Sequence, residues 1–353
     1  MCLPCLRLLK FKMTKQTILV TGGAGYIGSH TVVALAEAGY RPVIIDDFSN
    51  SQQSVLEGLR QILGYEVPCL VRDCNDKTTL LELFGRENVR GVIHFAAFKA
   101  VGESMAEPLR YYRNNLGSLI NLLEVMLETG VTDLIFSSSC TVYGEPASLP
   151  VVETMPVKPA ASVYGNTKQV GEEILRDVAA AGKPAKIISL RYFNPIGAHP
   201  SALIGELPLG VPNNLVPYIT QTAAGIREQL TVFGNDYPTP DGSCIRDYIH
   251  VMDLAEAHVA ALRTLGQPGP GSYYDVFNIG TGQGNSVLEL IRTFEGVSGE
   301  PLNYRTGPRR AGDITAVYAD ATKAREQLGW AAKRGLREAL EDAWRWQQNL
   351  EKK

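Results

Sequence analysis

The stretch VTGGAGYIGSH, residues 20–30, decides how this chain is read. Immediately before it, QTILVT (16–21) is a short apolar, β-branched run, the composition of a parallel strand buried on both faces. After it, SHTVVALAEAG places apolar residues at helical spacing and stops at Gly39, a residue suited to a helix C-cap. PVIID then forms a second strand ending at Asp46. Strand, glycine turn, helix and strand within about thirty residues make a dinucleotide-binding unit.

The glycines carry the chemistry of that unit. Gly22, Gly25 and Gly28 form G-x-x-G-x-x-G, and Gly23 also permits a G-x-G-x-x-G reading. The early glycines allow a tight turn and let backbone N–H groups reach a pyrophosphate; the last lets the helix pack closely on the strand. Asp46, 18 residues after Gly28, ends its strand where a carboxylate can accept hydrogen bonds from ribose hydroxyls. The same carboxylate repels a 2′-phosphate, and its neighbour is Asp47 rather than an arginine. NAD is therefore expected over NADP.

Composition narrows the class. The chain has 353 residues, 45% hydrophobic and 20% charged, as an ordered globular protein requires. With 34 basic and 37 acidic residues and no basic run, neither nucleic acid nor an anionic membrane surface is an expected partner. No apolar run approaches the roughly 18 residues that span a bilayer, and a cytoplasmic location is expected. The cysteines (2, 5, 69, 74, 140 and 244) have no framework spacing and read as reduced thiols. The histidines (30, 94, 199, 250 and 258) show no metal-ligand spacing, so no metal is expected. MCLPCLRLLKFK is too short for a secretory signal, and residues 1–13 read as a dispensable extension.

Beyond Asp46 the alternation continues, with strands expected at 66–73, 91–97, 133–139 and 185–192 and helices at 77–85, 117–130 and 163–182. The expected fold is α/β: a Rossmann-type, doubly wound parallel sheet with a smaller mixed C-terminal domain. From Pro195 the sequence becomes loop-rich as far as Ser243. Residues 14–194 plus about 245–282 are assigned to a cofactor domain, and about 195–244 plus 283–348 to a substrate domain ending in a helix. That last helix, LREALEDAWRWQQNL, has an apolar stripe at Leu336, Ala339, Leu340, Ala343 and Trp344 that reads as a core cover.

Ligands in such sheets lie beyond the carboxyl ends of the strands, where Ala97, Ser139 and Asn194 fall. Tyr164 and Lys168 stand at i and i+4, on one face of a helix. An ammonium beside a phenol favours the phenolate, which lowers the tyrosine pKa from about 10 and suits it to general-base work near neutral pH. Ser139 supplies a hydroxyl to share the substrate proton. Cys140, with no histidine near it in sequence, reads as a packing residue.

The segments TGGAGYIGSH, HFAAFKAVGES, SSSCTVYG, YGNTK, RYFNPIGAH, PNNLVPYI, FGNDYPTPDG, RDYIHVMDLA and PRRAGD, in that order from about residue 16 to 348, resemble the UDP-glucose 4-epimerases of the extended short-chain dehydrogenase/reductase superfamily. The resemblance implies C4 epimerisation of UDP-glucose and UDP-galactose through a 4-keto intermediate, tightly bound NAD, and a homodimer. It places Tyr26, Ile27, Asp46, Asn50, Ser51, Asp73, Phe95, Lys99 and Asn114 against NAD, with Gly22, Gly25 and Gly28. Ser139, Tyr164 and Lys168 become catalytic, the tyrosine and lysine also touching NAD, and the serine and tyrosine the sugar. Lys99, Phe193, Asn194, Asn214, Phe233, Arg246, Arg310 and Asp313 would hold the UDP-sugar. The arginines suit a diphosphate, which calls for forked cationic donors.

The chain departs from that pattern at Ala97, Cys140, Asp47, Ala311 and Asn166–Thr167, without losing a catalytic group. Val317 stands where a tyrosine goes with enzymes restricted to plain hexoses and a small residue with those also taking 2-acetamido sugars. In an extended segment Tyr318 points to the opposite face, so UDP-GlcNAc and UDP-GalNAc are expected as further substrates. Another nucleotide-sugar epimerase or a dehydratase of the same fold is the nearest alternative. The CTVYG after Ser139 lacks the Asp-Glu pair of a dehydratase. A non-catalytic NAD-sensing regulator is the more distant one, and it would not need all three catalytic residues.

Overall fold

The computed structural model describes residues 15–310 and 312–350. The expected dispensability of residues 1–13, and Ala311, therefore lie outside the described residues. The first half runs β1 (Thr17–Thr21), α1 (Tyr26–Glu37), β2 (Arg41–Asp46), α2 (Ser54–Leu63), β3 (Cys69–Val71), α3 (Lys77–Glu87) and β4 (Val89–His94). It continues through α4 (Val101–Ala106), α5 (Pro108–Thr129), β5 (Asp133–Ser139), α6 (Val163–Ala180) and β6 (Lys186–Tyr192). The second half opens with β7 (Asn194–Ile196), α7 (Leu215–Ala223), β8 (Leu230–Phe233), β9 (Ile245–Arg246), β10 (Tyr248–His250) and α8 (Val251–Leu265). β11 (Tyr273–Ile279), β12 (Asn285–Ser286), α9 (Val287–Ser298), β13 (Tyr304–Gly307), β14 (Ala316–Val317), α10 (Thr322–Gln327) and α11 (Leu336–Leu350) complete it.

Seven parallel strands form the central sheet in the order β11-β6-β5-β4-β1-β2-β3. The strand order reverses between β1 and β4, the position where such sheets open a crevice for ligands. Apolar side chains cover both faces: Val32, Leu35, Leu59 and Leu254 on one, and Leu80, Phe84, Leu119 and Leu175 on the other. A third cluster, with Val216, Leu230, Phe294 and Leu340, joins α7, β8, α9 and α11 outside that sheet. Ala339, Leu340 and Ala343 of the terminal helix are buried there, with Leu336 and Trp344 packed alongside. Ala324, Leu328 and Trp330 instead pack with the first face of the large sheet.

Local differences from the sequence reading have physical causes. α5 begins at Pro108, well before residue 117, because proline suits the first helical position while the turns after it are mostly polar. The strand expected at 66–73 shrinks to Cys69–Val71, an edge strand that pairs on one side only. No helix among the described residues is long and apolar enough to cross a membrane.

Candidate active site

The turn after β1 is built by close backbone approach. Gly22 has a φ of +66°, and its N–H donates to the Ile45 carbonyl at 2.8 Å. A Cβ on Gly22 would lie 2.9 Å from the Ala96 nitrogen, and one on Gly28 only 2.3 Å from the Gly22 oxygen. Gly25 caps α1 without any side-chain acceptor, and the first turn carries no acid. The N–H groups that open α1 therefore lack intrahelical acceptors and face the crevice with the positive end of the helix dipole.

Asp46 lies beside this turn, buried. Its Oδ2 accepts from the Ala24 N–H at 2.9 Å, and its Oδ1 from the Phe48 N–H (2.9 Å) and the Ser51 hydroxyl (2.8 Å). A fixed carboxylate at the end of β2 beside a donor-rich, acid-free helix start fits the ribose and pyrophosphate of a dinucleotide. Asn75 ties two further nominated residues together: its side-chain amide donates to Asp73 (3.0 Å) and to the Asn114 oxygen (3.2 Å). Phe95 leaves β4 and packs its ring 4.8 Å from that of His258. Ile27 packs against the core, whereas Asn50 is exposed. The Tyr26 hydroxyl donates to the Gly197 carbonyl at 2.7 Å.

Ser139 is the last residue of β5, and its hydroxyl accepts from the Thr141 N–H at 3.2 Å to start a 3₁₀ turn, Cys140–Tyr143. Tyr164 lies in the first turn of α6, which Ser162 caps by accepting from the Gly165 N–H. The Lys168 amine donates to the Ser137 carbonyl at 2.6 Å, 4.9 Å above the Phe136 ring and 6.0 Å from the centre of the Tyr164 ring. β5 and α6 thus bring Ser139, Tyr164 and Lys168 together at the carboxyl end of the sheet.

The electrostatics of this cluster differ from the sequence reading. Burial pushes the Tyr164 hydroxyl up to about 12 and the Cys140 thiol beside it adds to this, while a hydrogen bond with Ser139 works in the other direction. Burial lowers Lys168 to about 8, with Glu172 opposing. Near pH 7 the lysine therefore keeps its charge beside a tyrosine that is almost wholly protonated. The expected depression of the phenol is not found, because desolvation is the largest influence on it. Burial also raises the Cys140 thiol to about 12, and the side chain packs beside Val142, Phe193 and Val317. That matches its reading as a packing residue.

The nominated sugar-nucleotide residues fall into two groups. Asp313 lies between Arg310, whose Nη2 is 2.9 Å away, and Arg246, whose Nη2 is 3.7 Å away. The Arg310 guanidinium also sits 5.7 Å over the Phe233 ring. Asn214 and Lys99 meet instead at Glu206, 2.6 Å and 3.8 Å from its Oε1. Asn194 starts β7, and its N–H donates to the Asp247 carbonyl. Val317, buried in β14, pairs in register with Arg246 and packs in one cluster with Phe193. A Cβ on Gly284 would lie 2.8 Å from the Tyr318 ring, which puts that ring against Gly284. Among the described residues no group of three or more His, Cys, Asp or Glu could hold a metal ion.

Comparison with known proteins places this geometry. The model of the NAD dependent epimerase/dehydratase family matches residues 18–280. The chain belongs to that family. A UDP-glucose 4-epimerase of Yersinia pestis is 52% identical over 331 residues, 94% of this chain and 97% of that protein. A UDP-glucose-4-epimerase structure from Stenotrophomonas maltophila, with bound NAD and formylated UDP-arabinopyranose, superposes with a TM-score of 0.92 at 47% identity. It covers 96% of this chain and 99% of its own. One from Bifidobacterium longum in complex with NAD+ and UDP gives a TM-score of 0.90 at 46% identity, over 95% and 98% of the two chains. The dinucleotide that fits the glycine turn of this epimerase/dehydratase family member is NAD.

Sequence reasoning missed three polar groups at this family member's site. The Ser137 hydroxyl hydrogen-bonds that of Tyr192, and the same serine's carbonyl holds Lys168. Glu206 is half-buried and its pKa is raised by desolvation, with Lys99 and the Asn214 amide opposing. Tyr192 ends a strand, KIISLRY, whose reading as a strand gives its polar side chains no role, and Glu206 sits in a loop without periodicity. A tyrosine closing a buried strand, at the ligand end of the sheet, was the one available signal.

Proposed function

We propose that this protein catalyses the reversible epimerisation at C4 of UDP-glucose and UDP-galactose with NAD retained through the cycle. The observation that carries the reading is the meeting of Ser139, Tyr164 and Lys168 beyond β5, on a chain about half identical to UDP-glucose 4-epimerases over nearly all its length. Tyr164 takes the O4 proton of the sugar, Ser139 shares that proton, and Lys168 supplies the cation that favours the phenolate. NAD, when bound, accepts the C4 hydride and returns it to the other face after the 4-keto sugar has turned. Arg246 and Arg310 exchange their pairing with Asp313 for the diphosphate, which anchors the nucleotide while the hexose turns. The test is direct: purified protein given UDP-galactose and no added NAD should form UDP-glucose. No product under those conditions refutes the reading.

Val317 supports a wider pocket. Its side chain lacks the ring and hydroxyl of a tyrosine at the same place, and the space left is comparable to an acetamido group. Turnover of UDP-GalNAc is therefore part of the proposal. In the same reading, residues 14–194 plus about 245–282 bind the cofactor, and about 195–244 plus 283–348 the sugar nucleotide. A homodimer fits the exposed apolar side chains on α4 and α5, where Met105 is 59% and Leu109 75% exposed and Val101 and Ile120 are also open to solvent. Light scattering that gives a monomer mass would refute that last part.

A further inference from the structure

Behind the catalytic face of α6 lies a buried polar network that the reaction scheme above does not use. Glu172 stands one helical turn beyond Lys168, as Lys168 stands one turn beyond Tyr164. Its carboxylate accepts both prongs of the Arg191 guanidinium, at 2.9 and 2.5 Å, and the Ser138 hydroxyl at 2.5 Å. Arg191 also donates to the Tyr143 hydroxyl, which donates to Asn278. Glu172, Arg191, Lys168 and Ser138 are all buried. β5, β6 and α6 therefore lock one carboxylate next to one lysine.

We propose that Glu172 is a positioning residue for the epimerase reaction, holding the Lys168 ammonium charged beneath Tyr164. The groups around Lys168 explain the need. β5 offers a carbonyl, Ser137, and a ring face, Phe136. β4 offers His94, which burial keeps neutral, lowering it to about 3. On its own helix Lys168 meets Tyr164 on one side and Glu172 on the other. A buried ammonium facing a dipole, a ring and a neutral imidazole gives up its proton readily. Glu172 is the carboxylate that opposes this.

The groups facing Glu172 leave it no other task. Arg191 comes from β6, Ser138 from β5, Tyr143 from the 3₁₀ turn and Tyr274 from β11, all buried or nearly so. With its oxygens taken by Arg191 and Ser138, it acts through its charge rather than by carrying a proton.

The inference rests on the proposed role of Lys168 as the cation beside the base. Its test is the pH dependence of UDP-galactose turnover by the full-length enzyme with its resident NAD. In Glu172→Gln the alkaline limb of kcat, where the ammonium is lost, should move about one unit lower, with KM for UDP-galactose changed less than about threefold. Glu172→Asp keeps the charge and should return the limb toward its wild-type position. Glu172→Gln strands the Arg191 guanidinium, which can unfold the core. The double variant Glu172→Gln/Arg191→Gln removes that burden and should still show the lowered limb. Arg191→Gln alone should not lower it. An unmoved limb in both variants lacking Glu172, or an equal shift in Arg191→Gln, overturns the proposal by reducing the network to a structural ion pair. Wild-type enzyme that turns over alongside such results leaves the proposed function standing. Wild-type enzyme without turnover overturns that function itself, and the role of Glu172 with it.

Discussion

Replacing Lys168 by methionine removes the ammonium and keeps an unbranched side chain in its place. The lysine amine lies 6.0 Å from the centre of the Tyr164 ring. At an effective dielectric constant of about 20, unit charges at that distance attract by about 3 kcal/mol, equivalent to about two pKa units. Burial, with Cys140 adding to it and Ser139 opposing, raises the tyrosine to about 12, so only a small fraction of the hydroxyl is ionised at pH 7. A charged lysine raises that fraction about a hundredfold. Lys168→Met should therefore lower kcat at pH 7 by about 100-fold and move the acid limb of the profile about two units higher.

Stability should change little. The amine has its hydrogen bond with the Ser137 carbonyl, while Glu172 keeps Arg191 and Ser138, so no carboxylate is stranded. The assay is UDP-glucose formation from UDP-galactose with NAD in excess, from roughly pH 6 to 10, with melting temperature in parallel. A kcat within about threefold of wild type at pH 7, or a lowered kcat with an unmoved acid limb, would refute the electrostatic role.

Three further outcomes test other parts of the site. Tyr164→Phe should lower kcat by about 10²–10⁴-fold while UDP affinity, measured by calorimetry, stays at the wild-type value; near-normal turnover would remove Tyr164 from the chemistry. Gly28→Ala drives a methyl group into the Gly22 carbonyl, 2.3 Å away, so the turn must open: purified protein should lose NAD and about 1–3 kcal/mol of stability, and an unchanged NAD content would contradict the close approach. Val317→Tyr should abolish turnover of UDP-GalNAc and spare UDP-galactose, at an overpacking cost of about 1–3 kcal/mol in its buried cluster; wild-type protein inactive on UDP-GalNAc sinks the pocket argument.

What could be read without coordinates was whatever local spacing encodes. Glycines at 22, 25 and 28 enforce a turn that only residues without a Cβ can make, and Asp46 follows at the distance one helix and one strand require. β5 matches the reading at 133–139 because its residues are apolar and β-forming up to the serines that end it. The pair Tyr164 and Lys168 is a consequence of helical pitch alone. α5 was legible only in its second half, since its first turns depend on packing against α4 and α6 rather than on their own amphipathicity.

The sequence by itself therefore determined the class of fold and the cofactor and nominated the side chains for the chemistry, because periodicity, glycine sterics and ribose recognition act over a few residues. Their charge states were decided only by the tertiary structure. Tyr164 is raised to about 12 rather than lowered, and Lys168 brought down to about 8, by the low-dielectric space that β4, β5 and α6 close around them. Asp313 is shared by Arg246 and Arg310, and Glu206 by Lys99 and Asn214, between segments up to 115 residues apart. Glu172 is bound to Arg191 across 19 residues and two elements. Desolvation and long-range pairing depend on what the whole chain encloses, and no short window of residues contains that information.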